Sequence, residues 1–297
     1  MSRDNKSCFN KFCDLIGYGA VSFVFFLAKI LPIQLLSLFF GCLAVLLSPF
    51  IPTTYLVLRN LEYTMPELPL IKRIYTMFMV WYNLGQFIGE YPYIYKMKKG
   101  KIFKYVNIID KNFIEEIKNN KTGSIIFSGH LSNWEAGLRA LIDSNLKINV
   151  VFRESNNPYI EPKYTAQLRE NLGIKMIAKQ NNAGLKIVRA LKNGENVIIL
   201  TDQRDSQNGL PLNFFGKTAY TSRTIFAIAK KLGVAVYGMR IIRLKNCVKF
   251  DVRIEKMDEI VDGIGENEYL QKINDVLERW IRENLEQWFW VHNRWKM

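Results

Sequence analysis

Histidine and cysteine are scarce in this chain, which has two histidines and four cysteines among 297 residues. The cysteines form no Cys-x-x-Cys pair, so the spacing typical of zinc and dithiol redox sites is absent. Their positions do not suggest the disulfide framework of a small secreted domain either. We therefore expect a reducing, cytosol-facing compartment and no structural disulfides. The cysteines are Cys8, Cys13, Cys42 and Cys247.

Other familiar patterns are missing as well. The sequence contains no Gly-x-Ser-x-Gly elbow and no glycine-rich phosphate loop. One histidine beside scattered acids makes a poor zinc site, and we expect neither a metal nor another cofactor. The formal charge is +14, but no run of five basic residues and no RNA-binding or zinc-finger spacing occurs. We therefore expect no nucleic acid partner, which leaves an anionic membrane surface or an acidic substrate to account for the charge.

Charge is almost absent near the N-terminus, where Lys29 is the one charged residue between positions 15 and 51. A membrane-spanning helix needs about 20 apolar residues, and this stretch is longer than one span. It is also too long for the apolar core of a signal peptide. We predict a retained membrane anchor at residues 1–52 and a second domain at residues 53–297. Pro32 lies in the middle of the stretch. The anchor is therefore either a kinked span or a re-entrant hairpin, and the sequence does not decide between them.

Two buried helices of a soluble core are the alternative interpretation of this apolar stretch. Basic residues flank it on both sides, so the positive-inside rule gives no orientation. The same charge suits a protein held against anionic head groups. The flanking basic residues are Arg3, Lys6, Lys11, Arg59, Lys72 and Arg73.

From position 124 onward, short apolar runs alternate with helical patterns of about ten residues. This alternation predicts an α/β fold with a mostly parallel central sheet flanked by helices. The predicted strands are 124–128, 148–152, 174–177 and 197–200. The other predicted elements are an amphipathic helix at 66–95, a helix at 162–172, a loop at 210–219, a closing β-pair at 234–244 and 248–255, and a final helix at 267–285.

Polar side chains follow three of the predicted strands. His130 comes after the first of them, Arg153 after the second, and Asp202 with Arg204 after the fourth. Ligands of open parallel sheets bind outside the carboxyl ends of the strands. These ends are therefore the expected place for an active site.

The turn at His130 carries the clearest chemical signal in the chain. His130 and Glu135 have four residues between them, across a predicted strand-to-helix connection. A neutral histidine can take a proton from a hydroxyl group, and a carboxylate on its other nitrogen fixes the tautomer. A substrate hydroxyl attacking an activated acyl group is the chemistry that this arrangement favours. Ser132 and Glu135 also fit a capping box, in which both side chains only satisfy helical N–H groups, so the role of Glu135 stays open.

The order of several motifs resembles the bacterial lipid A biosynthesis acyltransferases, the lauroyl and myristoyl transferases. His130 and Glu135 resemble the HX4D/E signature of membrane glycerolipid acyltransferases, and an apolar N-terminus precedes them. Two departures lie in the ending, with Leu285 where the family usually has proline and Asn293 where it often has arginine. The other similar stretches are Arg-Asn-Leu-Glu at 59–62, Pro-Glu at 66–67, Phe-Arg at 152–153, Asn-Asn-Pro at 156–158, Asp-Gln at 202–203, Phe-Phe-Gly-Lys-Thr-Ala at 214–219 with Thr221, and the aromatic ending at 286–296.

The resemblance implies a glycerolipid-acyltransferase-like fold and a lipid-directed activity. A fatty acyl chain would pass from acyl carrier protein to a hydroxyl group of a lipid A precursor, late in lipopolysaccharide biosynthesis. The enzyme would sit at the bacterial inner membrane with its catalytic domain on the cytoplasmic face. His130 would be the general base and Glu135 its orienting partner.

The resemblance also suggests residues that bind substrate. Arg169 lies near a functional arginine of the family. Arg153, Arg204 and Arg223 are candidates to bind phosphates of the acceptor or of phosphopantetheine, because guanidinium groups suit phosphate. Asp202 would hold one of these arginines. For each of these arginines, the alternative to a role in substrate binding is a solvent-exposed charge on the surface.

Two other functions remain open at this point. One is an acyltransferase that acts on another acceptor, such as a glycerophosphate or a mannoside. The other is a non-catalytic protein whose basic charge binds the membrane surface.

Overall fold

The computed structural model describes residues 8–153, 157–179, 182–245, 247–260 and 263–295, with side chains from residue 10 onward. Four residues mentioned above, by name or within a stretch, lie outside the described residues, namely Arg3, Lys6, Asn156 and Lys296. The side chain of Cys8 is also outside this range, whereas Cys13, Cys42 and Cys247 are free thiols.

Four helices precede the first strand, and six more alternate with strands along the rest of the described chain. The first four are α1 (Cys8–Leu27), α2 (Ile33–Leu47), α3 (Thr53–Thr64) and α4 (Leu70–Lys96). The others are α5 (Lys111–Asn119), α6 (Trp134–Asp143), α7 (Gln167–Glu170), α8 (Ala183–Lys192), α9 (Thr224–Leu232) and α10 (Glu266–Glu283).

A twisted central sheet forms the middle layer of the protein. Its seven described strands lie in the order β1-β9-β8-β2-β5-β3-β4. Strands β2, β3, β4, β5 and β8 run parallel, while β9 is antiparallel to β8 and pairs in parallel with β1. The predicted α/β fold with a mostly parallel sheet is confirmed. The strands are β1 (Val106–Ile108), β2 (Ile125–Ser128), β3 (Ile148–Phe152), β4 (Lys175–Ala178), β5 (Asn196–Leu200), β6 (Leu210–Phe214), β7 (Lys217–Thr221), β8 (Val236–Arg243) and β9 (Phe250–Lys256).

Helices cover both faces of this sheet, because its central strands are apolar on both sides. In β2, Ile125 and Phe127 pack into one hydrophobic cluster and Ile126 into a second one. The first cluster includes Trp280 of α10, and the second includes Ala136 of α6. Alternation of side chains along a strand places successive residues on opposite faces. The continuous apolar run is therefore explained by burial on both sides.

Two predicted elements differ from the structure, and one strand is missing from the prediction. The predicted loop at 210–219 belongs to an antiparallel hairpin of β6 and β7. Its turn is made by Phe215 and Gly216, whose φ angles of 57° and 69° lie in the left-handed region that two-residue hairpin turns require. The predicted helix at 162–172 begins as a π-helical turn, Glu161–Ala166, and ends as the short α7. Strand β1 was not predicted, because a run of three residues gives too little periodicity.

The apolar N-terminal stretch forms two helices, and Pro32 is the residue before the second of them. Residues 10–27 and 33–50 are both long and apolar enough to cross a membrane, by length and composition. Only 11% and 28% of these two segments is buried, which is the opposite of what two core helices of a soluble protein would show. The boundary at residue 52 stays a prediction.

Helix α2 packs tightly against α4. A Cβ atom at Gly85 would lie 2.1 Å from the carbonyl oxygen of Phe40, and one at Gly89 would lie 2.6 Å from that of Leu36. Glycine is therefore needed at both positions for the two backbones to approach this closely.

A buried ion pair lies beside this helix contact. Glu90 of α4 is fully buried and binds both terminal nitrogens of Arg243, at 2.6 Å and 2.9 Å. The same carboxylate accepts hydrogen bonds from Ser37 of α2 at 2.6 Å and from Asn133 at 2.7 Å. One side chain thus joins α2, α4, β8 and the loop that precedes α6.

Replacing Glu90 by alanine is expected to lower the free energy of unfolding by about 3–5 kcal/mol, because Arg243 would stay buried without its counter-charge. The control is Glu62→Ala, which breaks the ion pair of Glu62 with Arg73. The side chain of Glu62 is 70% exposed. Exposed pairs contribute about 0–1 kcal/mol. Urea denaturation in detergent, followed by circular dichroism, measures both variants. Equal losses in the two variants would contradict the expectation.

Candidate active site

The connection from β2 to α6 forms the centre of the site. β2 ends at Ser128, and the chain reaches α6 through Gly129, His130 and a residue with a φ angle of 51°, Ser132. The cap of α6 is Asn133, whose side-chain oxygen accepts a hydrogen bond from the N–H of Ala136 at 3.2 Å. The capping box of Ser132 with Glu135 is therefore wrong, since Asn133 takes the capping position.

His130 pairs with Asp202 of the neighbouring strand connection. Ser128 of β2 lies opposite Leu200 of β5, and each of the two site residues comes two positions later. Nδ1 of His130 lies 2.8 Å from Oδ1 of Asp202, and the backbone N–H of His130 donates to Oδ2 at 2.8 Å. The register of two parallel strands therefore brings the imidazole and the carboxylate together.

The surroundings keep Asp202 ionised. Burial alone would raise the pKa of the Asp202 carboxyl, but the facing imidazole and hydrogen bonds from His130 and Trp288 lower it well below its usual value. An ionised carboxylate only accepts hydrogen bonds, so Nδ1 of His130 carries the hydrogen. The second ring nitrogen, Nε2, has no hydrogen-bond partner in the part of the chain that the structure describes. Its lone pair is free to take a proton.

Glu135 does not orient His130, which corrects that expectation. Its Oε1 lies 2.5 Å from Nη2 of Arg169, and its Oε2 accepts a hydrogen bond from the hydroxyl of Tyr95. Nε of Arg169 in turn donates to the Tyr95 hydroxyl at 3.1 Å. Burial and then the negative Glu135 raise the pKa of the Tyr95 phenol, which stays a neutral donor. Glu135 therefore belongs to a buried ion pair with Arg169. The alternative that Arg169 is a surface charge is wrong.

A cavity of about 390 Å³ lies at the carboxyl ends of β2, β3 and β5, between His130 and the ion pair of Glu135 with Arg169. His130, Glu135 and Arg169 line it, together with apolar side chains such as Trp134 and Leu138. The other lining residues are Ser128, Val150, Val151, Phe152, Arg153, Glu161, Thr165, Lys179, Ile198, Leu200, Gln203 and Met239.

A second, apolar cavity of about 280 Å³ adjoins the first. Helices α1 and α4 line it, through residues such as Val24 and Phe87. Glu135 and Arg169 line both cavities. This ion pair therefore lies where the larger of the two cavities meets an apolar space bordered by the N-terminal helix.

The remaining predicted arginines fall into three different settings. Arg153 is exposed and lines the larger cavity. Arg204 does not line that cavity, and its guanidinium lies 5.8 Å from the ring centre of Tyr220. Arg223 forms an exposed ion pair with Glu266 and is also absent from the cavity lining. Asp202 holds none of these three arginines.

Several residues of the site were not predicted. In the sequence, Tyr95 is one of several aromatic residues of a predicted helix, and Lys179 is a single basic residue after a predicted strand. Neither pattern indicates a functional residue. Trp288 belongs to a tryptophan group that also includes Trp290 and Trp295, and all three are buried. The three tryptophans therefore pack in the core, and Trp288 in addition donates a hydrogen bond to Asp202 at 2.7 Å.

The second histidine of the chain has a structural position. Burial lowers the pKa of His292, so its ring is neutral at pH 7 and Nε2 accepts a hydrogen bond from the N–H of Arg204 at 3.1 Å. Within the described ranges, no group of three His, Cys, Asp or Glu side chains has the arrangement of a metal site. Direct, metal-free chemistry stays a prediction.

Curated relatives share most of this chain at low identity. The lipid A biosynthesis acyltransferase of Haemophilus influenzae is 22% identical over 242 residues, which cover 80% of this chain and 76% of the relative. The lipid A biosynthesis palmitoleoyltransferase of Escherichia coli K12 is 23% identical over 241 residues, with 80% and 77% covered. The crystal structure of the 1-acyl-sn-glycerophosphate acyltransferase from Thermotoga maritima aligns over 84% of this chain and 97% of its own, at 18% identity and a TM-score of 0.39.

A family model matches almost the entire length of the sequence. The model of the bacterial lipid A biosynthesis acyltransferases covers residues 9–297, which include both strand connections of the site and the aromatic ending. The chain belongs to the bacterial lipid A biosynthesis acyltransferases.

Proposed function

We propose that this acyltransferase moves a fatty acyl chain from acyl carrier protein to a hydroxyl group of a lipid A precursor, in late secondary acylation. The observation that carries the chemistry is the contact of His130 with buried Asp202, because the His130 side chain also lines a cavity with largely apolar walls. Family membership supports the lipid A acceptor. The carrier protein as donor rests on the resemblance alone.

His130 acts as the general base. With Nδ1–H donating to Asp202, the Nε2 lone pair takes the proton of the acceptor hydroxyl while its oxygen attacks the thioester carbonyl carbon. The tetrahedral intermediate collapses by cleavage of the carbon–sulfur bond, and the departing thiolate takes the proton back from Nε2. Asp202 stabilises the imidazolium between these two steps.

The cavity walls suit the two substrates. Arg153 and Lys179 are exposed side chains at its mouth and offer positive charge to a phosphate group of the acceptor or of phosphopantetheine. Glu135 holds the Arg169 guanidinium at the inner wall. Arg204 and Arg223 lie outside the cavity lining, so contact with a phosphate there requires an acceptor that extends beyond the cavity.

The N-terminal helices support a location of the enzyme on a membrane. Their apolar side chains are largely exposed, including Phe12, Phe23 and Phe26 of α1 and Leu38 and Phe39 of α2. Burial of such side chains in lipid contributes about 25 cal/mol per Å² of apolar area. The bacterial inner membrane, with the catalytic domain on the cytoplasmic face, is the location that fits a lipid A precursor.

The test is an acyl-transfer assay with the purified protein in detergent micelles. Radiolabelled acyl-acyl carrier protein is offered with a lipid A precursor, a glycerophosphate or a mannoside, and products are identified by mass spectrometry. We expect labelled product with the lipid A precursor. If product forms only with the glycerophosphate or only with the mannoside, the proposed lipid A acceptor is wrong and that compound takes its place. No product with any acceptor, together with salt-sensitive binding to anionic liposomes, would identify a non-catalytic membrane-surface protein.

A further inference from the structure

A C-terminal segment, residues 285–295, lies along the loop that carries His130. The backbone N–H of Ser132 donates to the carbonyl of Gln287 at 2.6 Å, and the N–H of Phe289 donates to the carbonyl of His130 at 3.1 Å. Leu131 and Trp288 form an isolated antiparallel bridge. The segment therefore pairs with the loop as a short strand would.

The same segment is fixed to three other parts of the protein. The Gln287 side chain exchanges hydrogen bonds with the backbone of Arg243 in β8, at 2.8 Å and 3.1 Å. Asn60 of α3 donates to the carbonyl of Trp290 at 2.8 Å. Buried Arg294 donates to the Thr221 hydroxyl of β7 at 2.8 Å. The segment is thus a rigid support for the loop.

Trp288 carries the contact that matters for chemistry. Its indole N–H donates at 2.7 Å to Oδ2 of Asp202, the same oxygen that accepts the backbone N–H of His130. The indole is only 2% exposed and packs edge to face on Trp290, with ring centres 4.6 Å apart. It has no room to turn away. Two fixed donors on Oδ2 prevent rotation of the carboxylate, so Oδ1 remains directed at Nδ1 of His130.

We propose that Trp288 is a positioning residue of the acyl-transfer reaction, which acts by fixing the Asp202 carboxylate through its indole N–H. The inference rests on the proposed function of the pair of His130 and Asp202. It assigns to the aromatic ending of the chain a part in catalysis besides core packing. Because the effect passes through Asp202, it changes the rate of the chemical step and leaves substrate binding unaltered.

The variant Trp288→Phe tests this proposal in the acyl-transfer assay. We expect kcat to fall about 10- to 100-fold with KM unchanged, as expected for one lost hydrogen bond to a charged group. Trp290→Phe and Trp295→Phe are matched controls, since each loses an indole N–H that donates to a backbone carbonyl, of Leu285 and Phe214 respectively. Both controls should keep kcat within about threefold once corrected for the folded fraction.

A second variant separates the hydrogen bond from packing. Site-specific incorporation of benzothienylalanine at position 288 keeps the shape of the ring system and replaces the N–H by sulfur, so folding is preserved. It should show the same loss of kcat as Trp288→Phe. In an Asp202→Ala background, Trp288→Phe should change kcat less than twofold, because the carboxylate on which it acts is gone.

The outcomes distinguish this inference from the proposed function. An active wild-type enzyme whose benzothienylalanine variant has an unchanged kcat would overturn the role of Trp288 and leave the proposed function intact. A further large loss in the Asp202→Ala background would also overturn it. A wild-type protein that forms no acyl product would refute the proposed function itself.

Discussion

Replacing His130 by glutamine will abolish measurable acyl transfer while the protein still folds and binds membranes. General base catalysis contributes about 10²–10⁴-fold to a rate, and without Nε2 no described side chain is placed to take the proton at that position. Glutamine fills the space between the rings of Trp134 and Phe289, whose centres lie 5.0 Å and 5.7 Å from that of the imidazole. Stability should therefore change little.

The other histidine provides a matched control. His292→Gln retains a side-chain acceptor for the N–H of Arg204 and alters no residue of the cavity lining. Its rate of transfer should stay within about threefold of the wild type, since it makes no contact with a reacting atom. Transfer of label from acyl-acyl carrier protein is measured for both variants, alongside sedimentation with liposomes and thermal unfolding. Retained activity in His130→Gln would refute the general base assignment.

Replacing Asp202 by asparagine is expected to lower kcat about 10³–10⁴-fold, by imposing the wrong tautomer on His130. Two N–H donors, from His130 and Trp288, converge on one carboxylate oxygen and require an acceptor there. The asparagine oxygen must occupy that place, which turns its NH₂ group towards Nδ1. Nδ1 then becomes the acceptor, the hydrogen moves to Nε2, and the base is lost.

The control for this variant is Asp205→Asn in the same loop. The Asp205 side chain accepts hydrogen bonds from the N–H groups of Gln207 and Asn208, both at 3.2 Å, and an asparagine oxygen can do the same. We expect wild-type activity in Asp205→Asn. Steady-state kinetics with both substrates measure the two variants. A kcat within tenfold of the wild type in Asp202→Asn would contradict the orienting role.

The ends of these strands are predictable from the sequence for a physical reason. The apolar runs before His130, Arg153 and Asp202 are buried on both faces and end abruptly at polar residues, so their limits are visible in the sequence. The order of the strands is not visible. β5 lies between β2 and β3, and this order places Asp202 against His130 instead of against an arginine.

The partner of Glu135 was unpredictable for a related reason. The spacing from His130 to Glu135 fixes the position of the acid in the first turn of α6 but leaves the direction of its side chain undetermined. That direction depends on Arg169 from α7 and Tyr95 from α4, which lie 34 and 40 positions away in the sequence. The contact of Trp288 with Asp202 spans 86 positions, and no local pattern encodes it.

The ion pair of Glu90 with Arg243 has a consequence for how the enzyme meets a lipid substrate. Through Ser37 and Asn133, the Glu90 carboxylate connects α2 directly to the residue that caps α6. If α2 is embedded in lipid as proposed, this connection would hold the cavity mouth at a fixed height above the bilayer. An acceptor that diffuses within the leaflet would then meet the mouth at constant depth, by diffusion in two dimensions, and the enzyme would need no flexible tether to the membrane.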